Sequence, residues 1–78
     1  MHLEIITPDN KIYSGKVTLV QLPGKDGSLE ILKHHAAMIT ALKKGKMRIV
    51  EADKQEKFFD INGGVAEVLN NIILVLAE

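Results

Sequence analysis

The sequence predicts an all-β fold, a sandwich or barrel formed by one domain. Three observations predict it. Short apolar-rich segments recur about every 8–12 residues, the spacing of antiparallel sandwiches and barrels. Turn-forming clusters separate them, among them Pro8-Asp9-Asn10, Pro23-Gly24, Gly63-Gly64 and Asn70-Asn71. Only His35 to Leu42 has a composition that also suits a helical turn, and it is too short for a stable helix.

The segments follow in order. Leu3 to Thr7 is a strand closed by Pro8-Asp9-Asn10. Lys11-Ile12-Tyr13 is a short second strand, closed by Ser14-Gly15. Val17 to Leu22 is a third, ended by Pro23-Gly24-Lys25-Asp26-Gly27, and Leu29 to Leu32 is a fourth. His35 to Leu42 reads as a loop running into a short strand. Met47 to Val50 follows the turn at Lys44-Gly45-Lys46, and Glu56 to Ile61 follows a polar turn over Ala52 to Gln55. Gly63-Gly64 opens Val65 to Leu69. Asn70-Asn71 is a two-residue hairpin turn, because Asn tolerates the positive φ of primed turns. The final strand is Ile72 to Leu76.

That final strand does not alternate. Ile72, Leu74 and Leu76 share one face, and Ile73 and Val75 share the other. A sandwich strand buries one face and wets the other, so one of the two sets needs another explanation. Either it is exposed as scattered surface apolar residues commonly are, or a partner subunit covers it.

Composition excludes several function classes. The chain has 78 residues, with 10 Lys plus Arg against 10 Asp plus Glu and no formal net charge. One domain is the most this length supports. A neutral chain lacks the electrostatic footprint of a duplex-binding module. Aromatic residues are 4% of the chain, which argues against stacking platforms for single strands or sugars. No Cys is present, so apolar packing from a 46% hydrophobic composition has to hold the fold. No basic start followed by a long apolar run marks a signal peptide, and the run from Ile72 to Ala77 is far below the roughly 20 residues of a membrane span.

No constellation carries bond chemistry. His34-His35 is an adjacent pair without the third and fourth ligands a metal site needs. A hydrogen-bonded loop His35 beside a solvated His34 is the simpler expectation. Gly24-Lys25-Asp26-Gly27 lacks phosphate-loop spacing and no helix follows it. Ser14 and Ser28 lie outside any nucleophile motif. Asp60 and Glu67 are strand carboxylates expected to face solvent. Lys43, Lys44 and Lys46 cluster at a turn, by default a solvated surface and otherwise a contact for an anionic partner. The chain reads as a non-enzyme.

Taken in order, a set of short motifs becomes specific. They are Leu3-Glu4-Ile5-Ile6-Thr7-Pro8, Tyr13-Ser14-Gly15-Lys16-Val17, Pro23-Gly24 with Gly27, His35-Ala36 with Thr40, Gly45 with Arg48-Ile49, Gly63-Gly64-Val65-Ala66-Glu67-Val68 and Val75-Leu76-Ala77-Glu78. Together they resemble the N-terminal domain of the epsilon subunit of rotary ATP synthases, called delta in mitochondria. The resemblance runs through essentially the whole chain.

It implies a flattened ten-stranded β-sandwich of two five-stranded sheets, without catalysis or a cofactor. It implies a central-stalk subunit that clasps the gamma subunit and rests on the c ring, coupling proton-driven rotation to ATP synthesis. Neither nucleic acid nor a small-molecule substrate is an expected partner. The implied location is peripheral, on the cytoplasmic face of the bacterial inner membrane, through the assembled complex.

Residue by residue, Ser28, Leu29, Glu30 and Ile31 are the expected c-ring contacts. His35, Ala36, Met38 and Ile39 are the expected gamma contacts, with Ile73 and Val75 as the clasp. In this loop Glu30, Lys33, His34 and Ala37 replace the family's Gly, Pro, Gly and Pro, so its conformation is the least determined part. Bacterial relatives continue past the position of Ala77-Glu78 into a helical hairpin that can inhibit ATP hydrolysis. These 78 residues contain none of it, so the expectation is coupling without self-inhibition by that route. The alternative reading is a free-standing β-sandwich that binds a peptide or small ligand.

Overall fold

A computed structural model describes all residues from Met1 to Glu78. Eight strands and no helix form: β1 (His2–Ile6), β2 (Lys11–Gly24), β3 (Gly27–Leu32), β4 (Met38–Leu42), β5 (Gly45–Glu51), β6 (Glu56–Ile61), β7 (Gly64–Leu69) and β8 (Ile72–Ala77). They close on one another in two layers. One layer runs β1-β8-β7-β4 and begins with the first half of β2 beside β1. The other runs β3-β2-β5-β6. All pairs are antiparallel except β1 with β8. The molecule measures 27 × 24 × 18 Å, flattened along one axis.

Eight strands stand where the family resemblance implies ten, and β2 accounts for much of the difference. It is 14 residues long and serves both layers. Lys11 to Lys16 pair with β1, whereas Leu19 to Gly24 pair with β3. The break expected at Ser14-Gly15 does not occur. Ser14 pairs with Glu4 and Gly15 with Leu3. Gly15 is there because the Tyr13 ring lies across it: a Cβ would meet the Tyr13 hydroxyl at 2.8 Å.

The pairing register of β2 slips between Val17 and Leu19. This bulge at Thr18 resets the alternation, so Val17 and Val20 are both buried although three residues apart. One strand thereby faces the core in both layers.

The core is one cluster of 15 buried apolar residues, including Leu3, Ile5, Val20, Leu22, Ile31, Met47, Ile49, Ile73 and Val75. Each fully buried Leu, Ile or Val contributes roughly 1.5–3 kcal/mol of apolar burial. No charged or polar residue is buried with them. The two-residue turn at Asn70-Asn71 forms as expected, with φ of 51° and 65°. His35 to Leu42 becomes a loop and β4, not a helix.

Candidate functional site

Alternation decides which face of the last strand is free. Ile73 and Val75 are fully buried, and Ile72 and Leu76 stand 53% and 48% exposed. This corrects the expected clasp. Ile73 and Val75 point into the sandwich, because Leu3 and Ile5 of β1 and Val68 and Ala66 of β7 pair beside them and point the same way. The solvent-facing set is the other one. The signal was in the sequence, since Ile72-Leu74-Leu76 and Ile73-Val75 are equally apolar, but only the neighbouring strands choose between them.

The register extends this free face across the layer. Leu76 lies between Ile6 and Val65, and Val65 lies beside Ala41. Leu74 lies between Glu4 and Glu67, and Glu67 lies beside Ile39. Ile72 lies between His2 and Leu69. Ile39, Val65 and Leu69 are exposed. The surface is therefore apolar, interrupted by the Glu67 carboxylate and bordered by His2, Glu4 and Lys11. His2 Nε2 lies 3.3 Å from Glu4, and Lys11 Nζ lies 3.4 Å from it. These two contacts hold the Glu4 carboxyl below the usual carboxylate range. Two shallow grooves cut the face. One of about 410 Å³ runs between Ile6, Pro8, Val65 and Leu76, and one of about 220 Å³ between Leu69, Ile72 and Leu74.

The loop from Leu32 to Ala37 ends beside this face. The His34 N–H donates to Asn71 Oδ1 at 3.1 Å, and the His35 N–H donates to the Leu32 carbonyl at 3.1 Å. His35 Nδ1 lies 2.7 Å from the Ala36 carbonyl oxygen. His34 has φ 64°, the left-handed conformation that a Gly adopts without cost. Ala36 and Ile39 are exposed, and His35 and Met38 are half-buried. Met38 is a correction to the expected contacts: it pairs with the buried Val68 and packs against the core, whereas Ile39 beside it faces outward.

The expected c-ring residues lie on β3 in the other layer. Ser28 and Glu30 are exposed and Leu29 is half-buried against the core. Ile31 is fully buried, so its side chain is core rather than contact. Strand alternation alone explains the correction, since Leu29 and Ile31 share the inward face.

Sequence reasoning missed the role of Arg48. On the outer face of β3-β2-β5-β6, Glu30, Gln21, Arg48 and Phe58 stand in register across four strands. Arg48 Nε donates to Gln21 Oε1 at 3.0 Å, and its two terminal nitrogens lie 3.3 Å from Glu56 and 3.7 Å from Glu30. The available signal was Arg48 between Met47 and Ile49, which puts it on the outer face of a strand.

Tyr13 closes the opposite side of the sandwich. Its hydroxyl donates to Glu51 Oε2 at 2.6 Å, and its ring meets Phe59 edge-on at 5.7 Å. Burial and the Glu51 carboxylate push the phenol up to about 12. No group of three or more His, Cys, Asp or Glu side chains is placed to hold a metal ion. No helix is long and apolar enough to cross a membrane. The chemistry on offer is surface recognition by an apolar face and a charged one.

Comparison with known proteins agrees with this architecture. The family described as the ATP synthase delta/epsilon chain, beta-sandwich domain, matches residues 1–78. The ATP synthase epsilon chain of Chlorobium limicola is 46% identical over 76 residues, covering 97% of this chain and 86% of that one. Among solved structures, one chain of the Euglena gracilis mitochondrial ATP synthase with its c-ring superposes with a TM-score of 0.88 at 18% identity. One from the Tetrahymena thermophila mitochondrial ATP synthase central stalk and c-ring superposes with a TM-score of 0.80 at 20% identity. Those two matches cover 96% and 99% of this chain but 48% and 62% of the longer solved chains. With a family match over every residue and near-half identity to an epsilon chain, this protein belongs to the delta/epsilon family of ATP synthase subunits.

Proposed function

We propose that this chain is a non-catalytic rotor subunit of an ATP synthase, linking the gamma subunit to the c ring and coupling proton translocation to ATP synthesis. One observation carries the reading: the free face of β8, β7 and β4 is largely apolar, with Ile72, Leu76, Val65, Leu69 and Ile39 exposed around the Glu67 carboxylate. Contiguous apolar surface of this kind marks a protein interface. Gamma is its occupant, joined by His35 and Ala36 from the anchored loop. Ser28 and Glu30, exposed on the β3 edge of the other layer, are the c-ring contacts; Leu29 and Ile31 face the core. The complex sits on the cytoplasmic face of a bacterial inner membrane.

Such a subunit acts mechanically. Torque passes only through a body that does not deform, and a close-packed sandwich core resists deformation. A stable clasp requires roughly 1,000 Å² or more of buried surface. The test is recovery of gamma by the tagged chain. Recovery by the wild type, lost in Leu76→Asp, supports the reading. Failure to recover gamma, with a discrete peptide or small molecule bound instead, replaces it with the free-standing binding module.

A further inference from the structure

Glu67 is the only charged residue on β4, β7 and β8. It stands at the centre of their free face, between Ile39 and Leu74, with Val65 and Leu69 as its same-face neighbours along β7. Its carboxylate forms no ion pair. The cations bordering the face are engaged or remote. Lys11 lies 3.4 Å from Glu4, and His2 lies 3.3 Å from the same carboxylate. Lys16 sits opposite His2 at the far side of the layer, beyond β1 and β8. Lys33, His34 and His35 of the neighbouring loop form no ion pair.

The groove of about 220 Å³ opens beside this carboxylate, lined by Glu67, Leu69, Asn70, Ile72 and Leu74. Glu67 pairs with Leu74 and Leu69 with Ile72, so the groove runs from the carboxylate past three aliphatic side chains to the turn. Pockets that enclose a small molecule measure roughly 300–1,000 Å³. This shallower groove suits a single inserted side chain. A Lys or Arg has the matching profile, because its methylene stem packs on apolar surface while its head carries the charge.

We infer that this groove takes a Lys or Arg side chain of gamma, its stem on Leu69, Ile72 and Leu74 and its head on the Glu67 carboxylate. The inference rests on the rotor reading, which puts gamma on this face. Charge complementarity identifies the occupant. An ionised carboxylate covered by apolar surface loses its hydration without gaining a partner, which is strongly unfavourable. A wholly apolar surface is therefore rejected at the centre of a face that it otherwise fits. A cation placed opposite turns the penalty into attraction and fixes the register of docking. Glu67 thus selects the partner, rejecting other apolar surfaces by the same charge that accepts gamma.

The experiment measures binding of the full chain to the gamma-containing catalytic complex depleted of this subunit. Two variants are compared with the wild type. Glu67→Gln removes the charge and keeps the shape, and Glu67→Leu makes the face apolar throughout. Glu67 is exposed, so both variants keep the fold, which circular dichroism checks. Both are expected to bind at least about tenfold more weakly than the wild type. Equal or tighter binding by Glu67→Leu overturns the inference, because that change relieves a carboxylate left unpaired at a dry interface. Unchanged binding by Glu67→Gln overturns it as well, in favour of a neutral hydrogen-bond donor. A wild type that dimerises in sedimentation while Glu67→Leu stays monomeric also overturns it, giving the groove to a lysine of a second copy. A wild type that does not bind the complex at all refutes the rotor reading itself. Wild-type binding that Glu67→Gln leaves unaffected refutes this inference alone.

Discussion

The backbone N–H of His34 donates to the side-chain Oδ1 of Asn71 at 3.1 Å, across 37 positions of sequence. Both residues have left-handed backbones, φ 64° and 65°. The bond ties the β3–β4 loop to the β7–β8 turn, and so carries His35 and Ala36 to the end of the apolar face. Asn71→Ala removes the acceptor and a residue that tolerates positive φ. It is expected to cost about 1–2 kcal/mol and to speed amide exchange at His34. His34→Gly relieves the left-handed strain and keeps the donor, and is expected to stabilise by up to about 1 kcal/mol. Unchanged exchange at His34 in Asn71→Ala would show that the loop is held by other contacts.

Neighbours on β8 should behave oppositely. Ile73→Ala empties a fully buried site and is expected to cost about 2–5 kcal/mol in chemical denaturation. Leu76→Ala, half-exposed, is expected to cost less than about 1 kcal/mol. Leu76→Asp should remain folded and lose gamma. A folded Leu76→Asp that still recovers gamma refutes the assigned clasp.

Tyr13 makes stability depend on alkaline pH. The hydroxyl donates to Glu51 only while protonated, and its pKa stands near 12 in the fold against 10.0 ordinarily. The folded value is raised, so the stabilisation is complete below pH 10 and is lost as pH rises through about 12. The difference between wild type and Tyr13→Phe isolates the bond. That difference is expected to shrink between about pH 10 and 12, and a constant difference contradicts it.

Gly64 tolerates no side chain. Its φ is 137°, and a Cβ would overlap the Leu76 carbonyl oxygen on the paired strand. Gly64→Ala combines backbone strain with a clash against main chain and is expected to cost more than about 2 kcal/mol. Thermal unfolding measures it. Because Gly64 pairs with Ala77, the variant should also lose amide protection at the end of β8.

These 78 residues form a sandwich with no helix. Added to an ATP synthase catalytic complex depleted of this subunit, they are expected to leave ATP hydrolysis uninhibited. Strong inhibition would place the inhibitory contact in the sandwich itself.

Strand identity was legible because local chemistry sets it. Glu56 to Ile61 forms over the expected residues, and Asn70-Asn71 turns as its composition demands. The exception is instructive. Ser14-Gly15 has the composition of a turn, yet it lies inside β2, because pairing with Glu4 and Leu3 outweighs the local preference.

Which side of a strand meets solvent is a different kind of question. Ile72 to Leu76 is apolar on both faces, so hydrophobicity carries no vote. The answer lies in Leu3, Ile5, Ala66 and Val68, which pair alongside and take Ile73 and Val75 inward with them. Glu67 faces solvent as its place on a strand predicts, but only strand pairing sets it between Ile39 and Leu74. The sequence by itself determined most of the strands, the Asn70-Asn71 turn and the family, because these follow from residue type and order along the chain. The tertiary structure decided the orientation of β8, the bulge that lets β2 serve both layers and the apolar surroundings of Glu67, because each depends on residues that only long-range pairing brings together.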